Sequence, residues 1–419
     1  MSFNSTASGH DHISYKIIKL ALPVILNYVL KIFNRSLLSS TFPKKWKMAI
    51  IIPINKVPSP KNPSDYRPIA LLCCLSKIFE KLIHAQITDY LSKNLLFDPL
   101  QSAFRPYHST ETTLLKLVND ISKAADNNMV TASVMFDFTK AFDRVNHPIL
   151  IAKLRRLGFF VDVLAGFTSY LLNRSQAVIG EAGELSSWRG VEYGVPQGSV
   201  LGPILFILYI NDISCSIHWS HYLLFADDLQ IYLHAKMEDL PECLEKLKED
   251  IKSITHWSNC NSLALNPFKT QAIIFSFSKN KNHSFPKKID LVTYQIPILN
   301  KIKSLGVQLD SDLSWESQIQ KVKQTTSHIL YRLRFFRSYT DEDLRIKLVS
   351  SLVLPHLDYC AVVMGEIKAY HNQTLQQIQN SCIRYIFNIN WRHHITPYRN
   401  QLGWLSASDR RFFLAVSAI

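Results

Sequence analysis

The sequence predicts an α+β fold in which strands and helices mix without the strict alternation of a doubly wound parallel sheet. Three observations carry that expectation. Short apolar and β-branched runs stop abruptly at acidic residues, as at Thr131 to Phe136 before Asp137. Other stretches repeat apolar residues every three or four positions, the period of a helix with one buried face. After Asp312 the pattern turns helical and rich in basic side chains. At 419 residues the chain exceeds what one hydrophobic core usually serves, so two or three packed subdomains are expected.

Taken in order, Tyr15 to Leu38 has helical spacing until Ser39, Ser40, Thr41 and Pro43 break it. Met48 to Ile54 reads as a strand entering a proline-rich loop at Pro58, Pro60 and Pro63, with Arg67 just beyond. Ile69 to Leu91 and Thr110 to Ala125 read as two helices, with Ser76 and Ser109 near their starts. Thr131 to Phe136 is a strand that delivers Asp137, and Leu150 to Leu157 is a helix. Val200 to Ile210 is too short to span a bilayer and reads as a buried helix. Tyr222 to Ala226 and Leu229 to Leu233 form a hairpin with Asp227 and Asp228 as its acidic turn. Gln271 to Phe277 and Ile302 to Leu309 read as further strands. Ile319 to Arg337, Asp343 to Leu354 and Thr374 to Phe387 are helical. In the first of these, Tyr331, Phe335 and Phe336 are expected inward and the arginines outward.

Composition narrows the partners. Lysine and arginine outnumber aspartate and glutamate 47 to 33, a net charge of +14, which favours a polyanion: a nucleic acid or an anionic membrane surface. The N-terminal apolar stretch is interrupted by Lys16, Lys19, Lys31 and Arg35, so no uncharged run reaches the roughly 18 to 20 residues of a span, and no membrane partner is expected. Met1 to Asp11 lacks the pattern of a secretory signal, which points to an intracellular location, nucleus or cytoplasm. Seven scattered cysteines without a C-x-x-C pair suit small buried hydrophobes in a reducing compartment rather than a zinc or disulfide framework.

The chemistry concentrates in the acidic residues. Asp227 and Asp228 between two apolar strands would repel each other unless a cation neutralises them; the alternative is an exposed acidic turn. Asp137, ending another buried strand, makes three carboxylates that can converge on one sheet edge. Hard oxygen ligands on strand ends suit Mg2+, with Mn2+ also possible. Two ions about 3.5 to 4 Å apart can bridge the attacking and leaving oxygens of an in-line phosphoryl transfer. Phe138 can add its backbone carbonyl.

Phe136 to Val145, Gly194 to Asp212 and Phe225-Ala226-Asp227-Asp228 resemble three successive motifs of reverse transcriptases, nearest to those of non-LTR retrotransposons of the jockey-like or chicken-repeat-like kind. Asp65-Tyr66-Arg67-Pro68-Ile69, Gln101 to Thr110, Leu265 to Thr270 and Ser304 to Val307 match in the same order, so the likeness runs from about Trp46 to Trp315. It implies a right-hand polymerase with an antiparallel-sheet palm, fingers and a helical thumb. The corresponding division is residues 1–45 as a helical extension, 46–311 as fingers and palm, and 312–419 as thumb and C-terminal region. The implied activity is RNA-directed DNA polymerisation, with an RNA template, a DNA primer and deoxynucleoside triphosphates as partners.

The resemblance assigns Asp137, Asp227 and Asp228 to the metal site and leaves Asp143 to a local cap or turn before the next helix. Phe142 falls where the family places an aromatic beneath the incoming sugar, a wall against a 2′-hydroxyl; core packing is the competing role. Gln197 and Gly198, in a glycine- and proline-rich loop, are implied beside the nascent base pair and template, or form a simple tight turn. Arg67 and Lys77 are expected on the incoming triphosphate, with Lys56 as a competitor. Lys269 is implied as a proton donor to pyrophosphate or is an ordinary surface lysine.

The sequence departs from the commonest family form at Ser102 and Ala103, where a glycine often sits, and at Met364-Gly365, where tryptophan is common. No upstream endonuclease, zinc knuckle or ribonuclease H segment is recognisable, so a fragment of an element is expected. The alternative reading is a catalytically idle or co-opted nucleic-acid-binding remnant, against which the three intact aspartates argue.

Overall fold

The computed structural model describes residues 7–180, 182–277 and 285–417; the first residues of the Met1 to Asp11 stretch lie outside them. The first part of the chain forms α1 (Tyr15–Leu38), β1 (Met48–Asn55), β2 (Tyr66–Leu71), α2 (Cys74–Lys93), α3 (Thr110–Asp126) and β3 (Val130–Phe136). Then come α4 (His147–Arg156), α5 (Val161–Leu171), β4 (Arg174–Val178), β5 (Arg189–Val191), α6 (Leu201–Ile210), β6 (His221–Phe225), β7 (Asp228–Ala235) and α7 (Leu240–Cys260). The strands β8 (Gln271–Phe275), β9 (Lys288–Asp290), β10 (Gln295–Pro297), β11 (Lys301–Ser304) and β12 (Val307–Asp310) follow. The chain then turns helical: α8 (Glu316–Phe335), α9 (Glu342–Leu352), α10 (Leu354–Asp358), α11 (Ala369–Phe387), α12 (Thr396–Gln401) and α13 (Ala407–Ser417).

Helices and sheets are mixed, as the sequence predicts. The central sheet has the order β6-β7-β3-β8, every neighbour antiparallel. Side chains alternate along β3, so Ala132, Val134 and Phe136 face one core while Thr131 and Ser133 face the other way. That first core takes in α6, all of whose residues are buried except the half-buried Pro203. The opposite face, with Tyr232, Ile273 and Phe275, shares a second core with Leu114, Leu117 and Ile121 of α3, the β11-β12 hairpin and the later helices. A second sheet, β2-β1-β4-β5, pairs β1 antiparallel to β2 and parallel to β4.

Several expectations need correction. Ile69 belongs to β2, not to a helix: the chain leaving the proline-rich loop pairs back on β1, with Ile52 opposite Ile69, and α2 starts only at Cys74. Ser76 therefore lies inside the helix, whereas Ser109 does cap α3 by accepting from the Thr112 N–H. The run Ile302 to Leu309 is two strands, because Leu305 and Gly306 both take positive φ (43° and 88°) and fold it into a hairpin. Tyr331, Phe335 and Phe336 point outward, each about three-fifths exposed, while Ile319, Val322 and Leu330 fill the inner face of α8. The cysteines are free thiols, five of them buried, with Cys215 and Cys260 exposed. By length and composition, Tyr15–Leu38 and Glu342–Met364 are apolar enough to cross a membrane, so the charges in the first stretch do not themselves exclude it.

Candidate active site

Strand register brings the three aspartates together. Phe136 on β3 lies opposite Leu229 on β7, so the next position outward on each strand is Asp137 and Asp228. On the other side of β7, Phe225 pairs with Asp228, leaving Ala226 and Asp227 as a two-residue turn. Asp228 is therefore the first residue of a strand and not part of the turn, as the sequence had suggested. Ala226 takes the left-handed conformation such turns demand, with φ of 54°.

Like charge at close quarters shows in the electrostatics. Desolvation at the hairpin, followed by the neighbouring Asp227 and Asp137 charges, pushes Asp228 up to about 6. Asp227 is also raised, by burial first and then by Asp137. Lys269 brings its ammonium to 4.0 Å from the Asp137 carboxylate. It gets there because the loop after α7 docks on the segment after β3. Thr139 N–H donates to Ala264 O (2.8 Å) and Asn266 N–H donates to Asp137 O (2.7 Å). These bonds flank the Phe138–Leu265 pair, and neither uses the Phe138 carbonyl.

Beyond Asp137 the chain turns through Lys140 (φ 49°) into a single helical turn, Ala141–Arg144. Phe142 is half-buried and stacks on Phe206 of α6, ring centres 4.2 Å apart and planes 15° apart. One face is thus packed, but the ring is not enclosed. The loop from Gly194 to Ser199 lies against this turn: Val195 N–H donates to Phe142 O (2.9 Å), and a Cβ on Gly194 would stand 2.9 Å from backbone atoms of Phe142 and Asp143. Gly198 has φ of 118°, and a Cβ there would lie 2.6 Å from Ala70 O. Gln197 ties the loop down twice: its carbonyl accepts from Ala70 N–H (2.6 Å), and its Nε2 donates to Asp143 Oδ1 (2.8 Å). Asp143 is accordingly a brace for Gln197. The cap of α4 is Asn146, which accepts from Ile149 N–H.

The reverse transcriptase (RNA-dependent DNA polymerase) family matches residues 57–309, three-fifths of the chain and the whole of this site. The chain belongs to that family. It is 30% identical to the probable RNA-directed DNA polymerase from transposon BS of Drosophila melanogaster, over 90% of this chain and 42% of that protein. The corresponding protein of the X-element in the same organism is 28% identical, over 97% of this chain and 45% of that protein. The RNA-directed DNA polymerase from mobile element jockey, also of Drosophila melanogaster, is 28% identical over 92% and 42%. The chain thus spans less than half the length of these relatives. Among solved structures, apo telomerase from Candida tropicalis is similar with a TM-score of 0.44 and 14% identity, covering 89% of this chain and 68% of that one.

Arg67 is exposed on β2 and Lys77 half-buried in the first turn of α2. Among the described residues no ion pair joins either to the carboxylates, and no three His, Cys, Asp or Glu side chains are gathered closely enough to hold a metal ion by themselves. An open set of carboxylates on strand ends fits a hard cation that keeps waters and takes substrate oxygens, rather than a caged structural ion.

Sequence reasoning missed two supports. Glu80 of α2 is fully buried; it accepts from Val200 N–H (2.9 Å) and Leu201 N–H (3.2 Å), capping α6 directly after the glycine-rich loop, and from Ser76 Oγ (2.9 Å). Its one sequence signal is a charged residue on the apolar face of α2, flanked by the buried Phe79 and Ser76. Gln101, buried within the Gln101 to Thr110 match, lies against the Asp227-Asp228 hairpin.

Proposed function

We propose that this chain is an RNA-directed DNA polymerase that extends a DNA primer on an RNA template with deoxynucleoside triphosphates, as part of a non-LTR retrotransposon. The observation that carries the reading is the register of β3, β6 and β7, which forces Asp137, Asp227 and Asp228 to one sheet edge inside the family match. On this reading the central sheet is the palm and the β2-β1-β4-β5 sheet with α2 belongs to the fingers. Residues 1–45 are an N-terminal extension, 46–311 fingers and palm, and 312–419 the thumb and C-terminal region. The start of an almost wholly helical stretch at α8 supports the last boundary.

Asp137, Asp227, Asp228 and the Phe138 carbonyl would hold the divalent cations, magnesium by the hardness of the donors, with manganese as a substitute. When bound, a pair of such ions supplies the charge that lowers the pKa of the primer 3′-hydroxyl and offsets the departing pyrophosphate. Asp227 and Asp228 are both raised, first by burial and then by neighbouring carboxylates, an environment in which a bound cation would favour their ionised forms. Lys269, exposed and 4.0 Å from Asp137, is the side chain we assign as proton donor to pyrophosphate. Phe142, packed on one face against Phe206, walls off the 2′ position of the incoming sugar. Gln197 and Gly198 bring backbone close to the nascent pair, and Arg67 and Lys77 meet the triphosphate from the fingers side.

Primer extension by the purified chain on RNA and on DNA templates, with and without divalent metal, tests the proposal. Extension should require metal and be abolished by Asp227→Asn, while template binding persists because the basic surface is untouched. Binding without metal-dependent extension would favour the idle, co-opted remnant instead.

A further inference from the structure

We infer that Gln101 is a positioning residue that fixes the carboxylate-bearing turn by standing in for a missing strand neighbour; the inference rests on the metal site proposed above. A two-residue turn leaves the first turn residue outside the ladder, so the N–H and C=O of Ala226 need partners from elsewhere. Ala226 is 7% exposed, too buried for water to serve both groups freely. Gln101, 1% exposed, supplies them with a single carboxamide. Its Oε1 accepts from Ala226 N–H at 3.0 Å, and its Nε2 approaches Ala226 O at 3.5 Å, the longer and weaker of the two contacts. The same Oε1 accepts from Ala103 N–H at 3.0 Å. Two backbone donors converging on one atom require that atom to be oxygen, which fixes the orientation of the amide.

The carboxamide is itself held from behind. Leu100 O accepts from Leu224 N–H (3.2 Å), and Ser102 N–H donates to Leu224 O (2.9 Å), so residues 100–102 run parallel to the end of β6 as an extra rung. Arg105 clamps this rung by donating from Nη1 to Asp98 O and Gln101 O, both at 2.9 Å. Asp98 in turn accepts from Leu100 N–H (2.8 Å) and from the Tyr222 hydroxyl of β6 (3.0 Å). Gln101 is therefore the tip of a rigid brace whose hydrogen bonds to the turn go to Ala226, the residue before Asp227. Ala226 also holds an uncommon positive φ, and that conformation aims the two following carboxylates. Without the amide, Ala226 can relax its peptide plane and both carboxylates lose their fixed direction, though neither is altered chemically.

The test compares the parent with Gln101→Leu and Gln101→Asn, the second being too short to reach Ala226 yet still polar. Three quantities are read: Mn2+ binding by the protein alone, followed by electron paramagnetic resonance; the Mg2+ concentration for half-maximal extension; and amide exchange at Ala226. The expected result is Mn2+ affinity weaker on the order of tenfold and a matching rise in the Mg2+ requirement, the scale typical of groups that orient metal ligands. Ala226 exchange should accelerate while exchange at Ile231 on β7, and affinity for primer–template, stay unchanged. Should Gln101→Leu fail to fold, Gln101→Asn gives the same readouts. Unchanged Mn2+ affinity in a variant with faster Ala226 exchange overturns the positioning role. So does a loss of template binding in step with metal binding, the mark of general unfolding. Gln101 is also not needed if Ala226 stays protected in both variants. A parent whose Mn2+ binding does not depend on Asp227 overturns the underlying site, a result distinct from all of these.

Discussion

Asp228→Asn should stabilise the metal-free protein while removing its ability to extend a primer. In the folded chain the Asp228 carboxyl is pushed from 3.8 to about 6 by desolvation and by Asp227 and Asp137. An acid whose pKa is raised on folding takes up its proton more readily in the folded state. Ionised Asp228 therefore opposes folding at neutral pH, and the penalty fades as pH falls through about 6 and is gone below about 4. Roughly 2 pKa units correspond to about 3 kcal/mol at 1.36 kcal/mol per unit. Asp228 keeps more than a third of its surface open to solvent, so screening brings the expected gain down to about 1 kcal/mol. For a chain of this size that is a rise in Tm of roughly 1–2 °C. The assay is thermal unfolding in a chelator at about pH 7.5 and again at about pH 4.5, where the difference from the parent should shrink. Adding Mg2+ should reverse the order at neutral pH, because the parent gains binding energy that the variant has lost. A variant that melts below the parent in chelator at neutral pH would refute the claim that these carboxylates repel one another in the folded state.

Phe142→Ala should raise the kcat/KM of a ribonucleotide relative to its deoxy counterpart; because the ring also stacks on Phe206, it should cost about 1–2 kcal/mol of stability as well. An unchanged ratio in an active variant would leave only the packing role. Asp143→Asn should retain extension within a few-fold, since Asn Oδ1 still accepts from Gln197, whereas Asp137→Asn should abolish it; equal damage from the two would undo this division of roles. Glu80→Ala strips Val200 and Leu201 of their acceptor and should destabilise by about 2–3 kcal/mol in denaturant unfolding, a loss below about 0.5 kcal/mol being the contrary result. Removing the exposed Arg332 and Arg334 together should lower the slope of log affinity against log salt by about 1–2; an unaltered slope would place nucleic acid elsewhere.

What could be read from the sequence followed the reach of local signals. Runs such as Thr131 to Phe136 and Val200 to Ile210 bury both faces or all sides, and their position and type emerged correctly because burial of that kind admits little else. The convergence of Asp137 on Asp227 and Asp228 was an inference from strand ends, and the register of β3 on β7 supplies the geometry. Interactions between distant segments were not legible. Nothing near Ile69 announces its pairing with Ile52, nothing near Glu80 announces the N-terminus of α6, and Gln101 contacts a turn 125 residues away. The hairpin at Leu305 and Gly306 did have a local signal in its glycine, outweighed by the apolar run on both sides. The outward aromatics of α8 show a limit of another kind: helical period says which residues share a face, while the neighbour that packs there decides which face is inside.

The two-sided burial of the central sheet bears on how the chain comes apart. Tyr232, Ile273 and Phe275 are covered by α3, the β11-β12 hairpin and the later helices, while the other side of the same strands closes the first core. Neither core can open without stripping one face of the strands that carry the aspartates. Unfolding should therefore be cooperative across residue 312, and a truncation there would uncover the apolar faces of α3 and β12 on which the later helices pack, inviting aggregation.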